Sequence, residues 1–189
     1  MSDSMSGATS RAPSDAAQFT AWLDAELGRP LTIVALRRRN ASGAAGAASD
    51  EPLAGWRDQL AAYPGVRLLT EELDGMPGEE ALASVARRDP DALLICADIE
   101  DATDATDAAD GADDWCARIL DAAEGLNLFE RMLLARYGAG VTRANARAAG
   151  YEDGFSPEQP LPDVLAILGR EAIARETYRR RGSSPPCYL

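Results

Sequence analysis

Chemistry in a protein of this kind usually starts from histidine or lysine, and this chain has neither. There are no His residues, and all 19 basic residues are Arg. The absence of His removes Ser-His-Asp and Cys-His catalysis, imidazole metal ligation and the usual general base near neutral pH. The absence of Lys removes a Schiff base to pyridoxal phosphate and a P-loop lysine. Four groupings remain. Arg37-Arg38-Arg39, followed by Gly43 and Gly46, could hold a phosphate, although GxGxxG is absent and a surface loop with solvated arginines is the plainer reading. Asp98, Glu100, Asp101, Asp104, Asp107 and Asp110 crowd one acidic stretch. Gly138-Ala139-Gly140 before Thr142 has the form of a cofactor-facing turn whose following helix start would favour an anion, or of an ordinary strand-to-helix turn. Cys187 in the tail is a candidate exposed thiol, with nothing local to depress its pKa.

The acidic stretch begins where a third strand would end, as the phosphoacceptor of a receiver domain does. A receiver also needs an acidic pair after its first strand and a lysine after its fifth, and here arginines follow the first strand and lysine is absent. EF-hand spacing is lacking as well. A solvated charge run over 98–114, extended and mobile over 98–112, is the expectation, with docking on a basic partner surface as the sharper alternative.

The elements that must position these groups are legible from punctuation and periodicity. Leu31–Leu36 and Ala92–Ala97 are short apolar runs suited to buried strands, and Val66–Leu69 is read as the second strand between them. Arg131–Tyr137 is read as a fourth strand and Asp153–Phe155 as a short fifth. Helical spacing follows the caps Ser14 or Asp15, Asp50-Pro52, residue 78, Thr142 and Pro160-Pro162, and another helix is expected to start at Trp115. Strands alternating with amphipathic helices predict an α/β fold, a flavodoxin-like (Rossmann-like) doubly wound parallel sheet. Ligands on such sheets bind at the carboxyl ends of the strands, here at loops beginning at Arg37, Thr70, Asp98, Gly138 and Ser156.

The 189 residues suffice for one domain. The expected organisation is a disordered lead-in over 1–13, one α/β domain over 14–180 and a flexible tail over 181–189. A net charge of −12 argues against nucleic acid and anionic membrane surfaces as partners. No long apolar run or signal-peptide pattern is present, so a soluble, cytoplasmic protein is expected. Three scattered Cys give no disulfide framework.

From Asp91 onward the residues carry a family pattern. Ala92–Ile99, then a helix, then Arg131–Phe155, with Tyr137-Gly138-Ala139-Gly140 at a turn and Gly150-Tyr151-Glu152-Asp153-Gly154-Phe155 at the last segment, resembles the cobalamin-binding domain of lysine 5,6-aminomutase and ornithine 4,5-aminomutase. The resemblance covers the second half of the chain; over the first half it rests on element order. It implies a corrinoid at Asn40, Ser42, Gly43, Ala97, Asp98, Tyr137, Gly138, Gly140 and Phe155, and a larger aminomutase-type subunit as partner. The family's Asp-x-His-x-x-Gly motif corresponds to Asn40–Ala45, where Asn40 replaces Asp and Ser42 replaces the cobalt-ligating His. A bound corrinoid would therefore keep its own base on cobalt, and the family's pyridoxal phosphate has no lysine here. The resemblance implies an accessory or corrinoid-binding component that is not catalytic alone. The alternatives are a cofactor-free protein–protein interaction domain and, last, an enzyme built from Asp, Glu, Arg, Ser and Tyr.

Overall fold

A computed structural model describes residues 15–38, 53–73, 77–96 and 108–182, with 108–114 as backbone only. The elements run α1 (Ala16–Glu26), β1 (Leu31–Arg38), α2 (Ala54–Leu60), β2 (Val66–Leu73), α3 (Glu79–Ala86), β3 (Ala92–Cys96), α4 (Ala108–Gly125), a 3-10 turn (Leu128–Glu130), β4 (Leu133–Tyr137), α5 (Arg143–Ala148), β5 (Asp153–Phe155) and α6 (Leu161–Arg181). The five strands form one parallel sheet in the order β2-β1-β3-β4-β5. This is the flavodoxin-type doubly wound order, in which the chain reverses direction of winding between β1 and β3.

Alternation along the strands builds two apolar layers. Leu31, Ile33 and Ala35 of β1, Ala92, Leu94 and Cys96 of β3, and Leu133, Ala135 and Tyr137 of β4 face α1, α2 and α6. Val34, Leu36, Leu93, Ile95 and Leu134 face α3, α4 and α5. All five residues of β3 are buried, as its uninterrupted apolar run predicts for a central parallel strand. Asp15 caps α1 by accepting from the Ala17 and Gln18 N–H groups, and Gly28 ends it with φ +70°. Gly169 allows α1 to lie close on α6: a Cβ there would stand 2.7 Å from the Trp22 ring.

Several boundaries differ from the sequence expectation. β1 runs through Arg37 and Arg38, so the loop begins two residues later. β2 continues through Thr70-Glu71-Glu72 to Leu73, because pairing with β1, Ala35↔Thr70 to Arg38↔Leu73, outweighs the polar composition. β4 starts at Leu133; Leu128–Glu130 form the 3-10 turn ahead of it. The acidic stretch is not a loop to residue 114. α4 begins at Ala108 and takes in Asp110, Asp113 and Asp114, acidic residues near a helix N-terminus where the macrodipole favours them. Residues 108–112 are therefore helical rather than extended. α6 runs to Arg181, one residue into the expected tail, and its last turn carries ion pairs from Arg179 to Asp89 and from Arg179 and Arg180 to Glu176. The lead-in, the tail with Cys187, and residues 98–107 lie outside the described residues.

Candidate functional site

The last residues of β3, β4 and β5 lie side by side, with Cys96 opposite Tyr137 and Tyr137 opposite Phe155. Two tethers hold the turn beyond β4 in place. Gly138 N–H donates to the Phe155 carbonyl (3.1 Å), and Val141 N–H donates back to the Gly138 carbonyl (3.2 Å). Gly140 takes φ +68°, a left-handed conformation that costs a non-glycine residue about 1–2 kcal/mol. A Cβ added there would meet no atom of the described residues within 4 Å.

α5 is fixed directly behind this turn by a reciprocal cap. Thr142 N–H donates to Asn145 Oδ1 (2.8 Å), Asn145 N–H donates to Thr142 Oγ1 (3.2 Å), and Asn145 Nδ2 donates to the Gly140 carbonyl (3.1 Å). These bonds use the donors at the start of a six-residue helix. Two of the N–H groups at this helix start, those of Thr142 and Asn145, are thus answered by side chains. Gly154 brings α5 close to the sheet, since a Cβ there would stand 2.5 Å from that of Ala146.

Beneath the turn the layer is filled. Tyr137 and Trp56 meet edge to face, with ring centroids 4.7 Å apart and planes at 67°. Both are buried, as is Phe155. Burial pushes the Tyr137 phenol well above the usual tyrosine range, and the fields of Cys96 and Glu158 add to it. The hydroxyl therefore stays neutral and is no base. The Trp56 indole N–H is buried with no hydrogen-bond partner among the described residues. Beyond β5, Ser156 N–H donates to Gln159 Oε1 (3.0 Å) and Gln159 N–H donates to the Ser156 carbonyl (3.1 Å). The exposed Glu158 carboxylate is lowered by a hydrogen bond from Ser156. On the far side, Arg57 Nη2 of α2 donates to Thr70 Oγ1 of β2 (2.7 Å).

Of the residues singled out in the sequence, Tyr137, Gly138, Gly140 and Phe155 gather at this end of the sheet. Tyr137 and Phe155 are packing residues under the surface, and Gly140 is at the surface. Asn40, Ser42, Gly43, Ala97 and Asp98 lie outside the described residues; the strands they follow, β1 and β3, are neighbours that end on this side. Trp56, Asn145 and Gln159 went unnoticed as contributors. Thr142-x-x-Asn145 has the spacing of a helix-capping pair and was open to discovery; Trp56 reads only as one more apolar residue of a helix. The described groups offer a ligand the exposed backbone of the turn, and they form no nucleophile–base pair.

No protein-family model matches the chain, and no curated protein matches it in sequence. Among solved structures, the chain is similar to a novel cobalamin-binding protein from Desulfitobacterium hafniense DCB-2. That likeness has a TM-score of 0.51 and 16% sequence identity over 82% of this chain and 68% of the other. A second likeness, to TesA, has a TM-score of 0.36 and 11% identity over 80% of this chain and 75% of the other, too distant to argue from. The first supports the flavodoxin-like α/β fold, one that a cobalamin-binding protein also uses, and it does not extend to the aminomutase family.

Proposed function

We propose that this chain is a cobalamin-binding-like module that holds a corrinoid against the carboxyl end of its sheet, with the corrinoid's own base kept on cobalt. The observation that carries this reading is the sheet itself, shared with a cobalamin-binding protein and ending in the open glycine turn at Gly138–Gly140. The chain has no histidine to offer cobalt. Trp56 and Tyr137 already occupy the layer under the turn, where an inserted base would need room. The residues present thus fit a corrinoid lying on the sheet end better than one reaching into it. Gly138 and Gly140 would let it approach the backbone, and Ser156 and Gln159 border the same surface. A corrinoid, when bound, supplies cobalt-centred chemistry that none of these side chains can supply.

The module would act as an accessory beside a larger, aminomutase-type subunit. What supports this is the second-half sequence pattern and the acidic run from Asp98, which suits a basic surface. No lysine is available for pyridoxal phosphate, so that cofactor would belong to the partner. Replacing Asp101, Asp104 and Asp107 with Asn should weaken association with a co-purifying subunit and flatten its salt dependence; unchanged affinity and salt slope would remove the docking role.

The second reading, an interaction domain without cofactor, draws support from Tyr137 and Phe155 being core residues. Equilibrium dialysis against hydroxocobalamin separates the two. Retention by the wild-type chain and loss in Gly140→Trp support the module; no retention at high micromolar cobalamin leaves the interaction domain.

A further inference from the structure

β2 is the outermost strand on the β1 side, and among the described residues no strand pairs with its outer edge. The direction of its backbone groups can be worked out. Gly65 gives its carbonyl to the Leu31 N–H (2.9 Å), which faces β1. Backbone groups of successive strand residues point to alternate sides. Odd-numbered residues of β2 therefore turn theirs to β1, while Leu68 and Thr70 turn theirs outward. The register with β1 runs unbroken from Leu31↔Val66 to Arg38↔Leu73, so no bulge blunts the edge. Nor does it carry proline or lysine, the other common guards of an edge strand.

The side chains are arranged symmetrically about one residue. Leu69 and Leu73 pack, half-buried, against the α3–α4 layer, and Glu71 on the same face pairs with Arg88. By alternation Arg67, which is exposed, shares that face. Arg67 and Glu71 thus stand two residues to either side of Leu69. A two-fold axis perpendicular to the sheet through Leu69 keeps equivalent faces on the same side. It sets Leu69 opposite its own copy and Arg67 opposite the Glu71 of the second chain, twice over. In that antiparallel register Leu68 of each chain exchanges backbone hydrogen bonds with Thr70 of the other. Opposite charges directly across a strand pair stabilise it, and like charges oppose it.

We propose that β2 is a dimerisation edge: two copies of this chain join antiparallel through Leu68–Thr70, with Arg67–Glu71 pairs flanking Leu69, into one continuous sheet. The interface is isologous and closed, so it stops at two copies. It lies on the β1 side of the sheet, away from the Gly138–Gly140 turn, and does not depend on any corrinoid.

Sedimentation of the full chain without corrinoid, over a concentration series, tests this. The wild type should be a dimer at about 100 µM. Thr70→Pro should be monomeric with an unchanged far-UV spectrum, because proline removes an outward N–H and no bond to β1. Arg67→Glu should weaken the dimer about tenfold, and Arg67→Glu/Glu71→Arg should recover most of that loss. Should Thr70→Pro fail to fold, the exposed Arg67→Glu and its double variant decide the matter. A wild type that stays monomeric, or a dimer indifferent to Arg67→Glu and to the double variant, would overturn the proposal.

Discussion

At the amino end of the sheet Arg29 grips Asp91 through two contacts of 2.7 Å, and the same carboxylate accepts from the Thr32 N–H (2.8 Å). At the carboxyl end the corresponding places hold an exposed glycine turn, a buried neutral phenol and an indole N–H with no partner among the described residues. The amino end is cross-braced further. Glu152 accepts from the Leu134 N–H (2.9 Å) and pairs with the buried Arg175, which also reaches Glu171 (3.0 Å). Asp89, at φ +49°, joins Arg131 and Arg179, and Arg180 Nη2 donates to the Leu27 carbonyl. One end ties strand starts to α6 with charge. The other presents the exposed end of a glycine turn, Ala139-Gly140, that a ligand could approach. In doubly wound sheets that division separates what fastens the fold from what serves function.

The largest expected effect lies between the two ends. Leu94, fully buried in the middle of β3, should cost about 2–5 kcal/mol when replaced by Ala. Amide exchange should find β3 the best-protected strand; unprotected amides over residues 92–96 would break the central-strand assignment. Next comes the clasp. Asp91→Ala leaves Arg29 and the Thr32 N–H without their acceptor. It should cost about 2–3 kcal/mol, below the full buried-pair figure because the Arg29 side chain is 33% exposed. Corrinoid retention by the folded variant should be unchanged, and a loss of retention would show that the ends are not separable. Gly140→Trp is its converse. The left-handed φ should cost about 1–2 kcal/mol, while retention disappears.

The smallest effect is a slope. Burial raises the Glu152 carboxyl above its ordinary value of 4.5, and Arg175 and the Leu134 N–H, which favour the ionised form, offset this only in part. Because the folded pKa is the higher one, Glu152 adds no penalty at pH below the unfolded value. It subtracts stability as pH rises through the unfolded and then the folded pKa. Denaturant midpoints measured from pH 4.5 upward should show this decline in the wild type and lose it in Glu152→Gln. Parallel pH profiles would contradict the assignment.

How much of this could be read beforehand follows from range along the chain. The succession of buried strands and helices was legible because Leu31–Leu36 and Ala92–Cys96 are almost wholly apolar, and because helices separate them. The polar end of β2 was not, since Thr70-Glu71-Glu72 looks like loop and is a strand only through its pairing with β1. The start of α4 was hidden in an acidic run whose charges repel in an extended chain and are favoured at a helix N-terminus. Arg29 and Asp91 are 62 residues apart, and no local pattern joins them. At the candidate site Gly138 and Gly140 declared a turn, but nothing in the sequence says that Tyr137 lies beneath it against Trp56. Asn40 to Gly43 and Ala97-Asp98 carry the family pattern's remaining places and fall outside the described residues.

The visible absorption spectrum of hydroxocobalamin, recorded on the fraction that stays with the chain through gel filtration, tests the central claim most directly. The account predicts that cobalamin co-elutes with a spectrum indistinguishable from the free base-on form, because no imidazole in this chain can displace the intrinsic base. Cobalamin that fails to co-elute, or that co-elutes with its base displaced from cobalt, would contradict it.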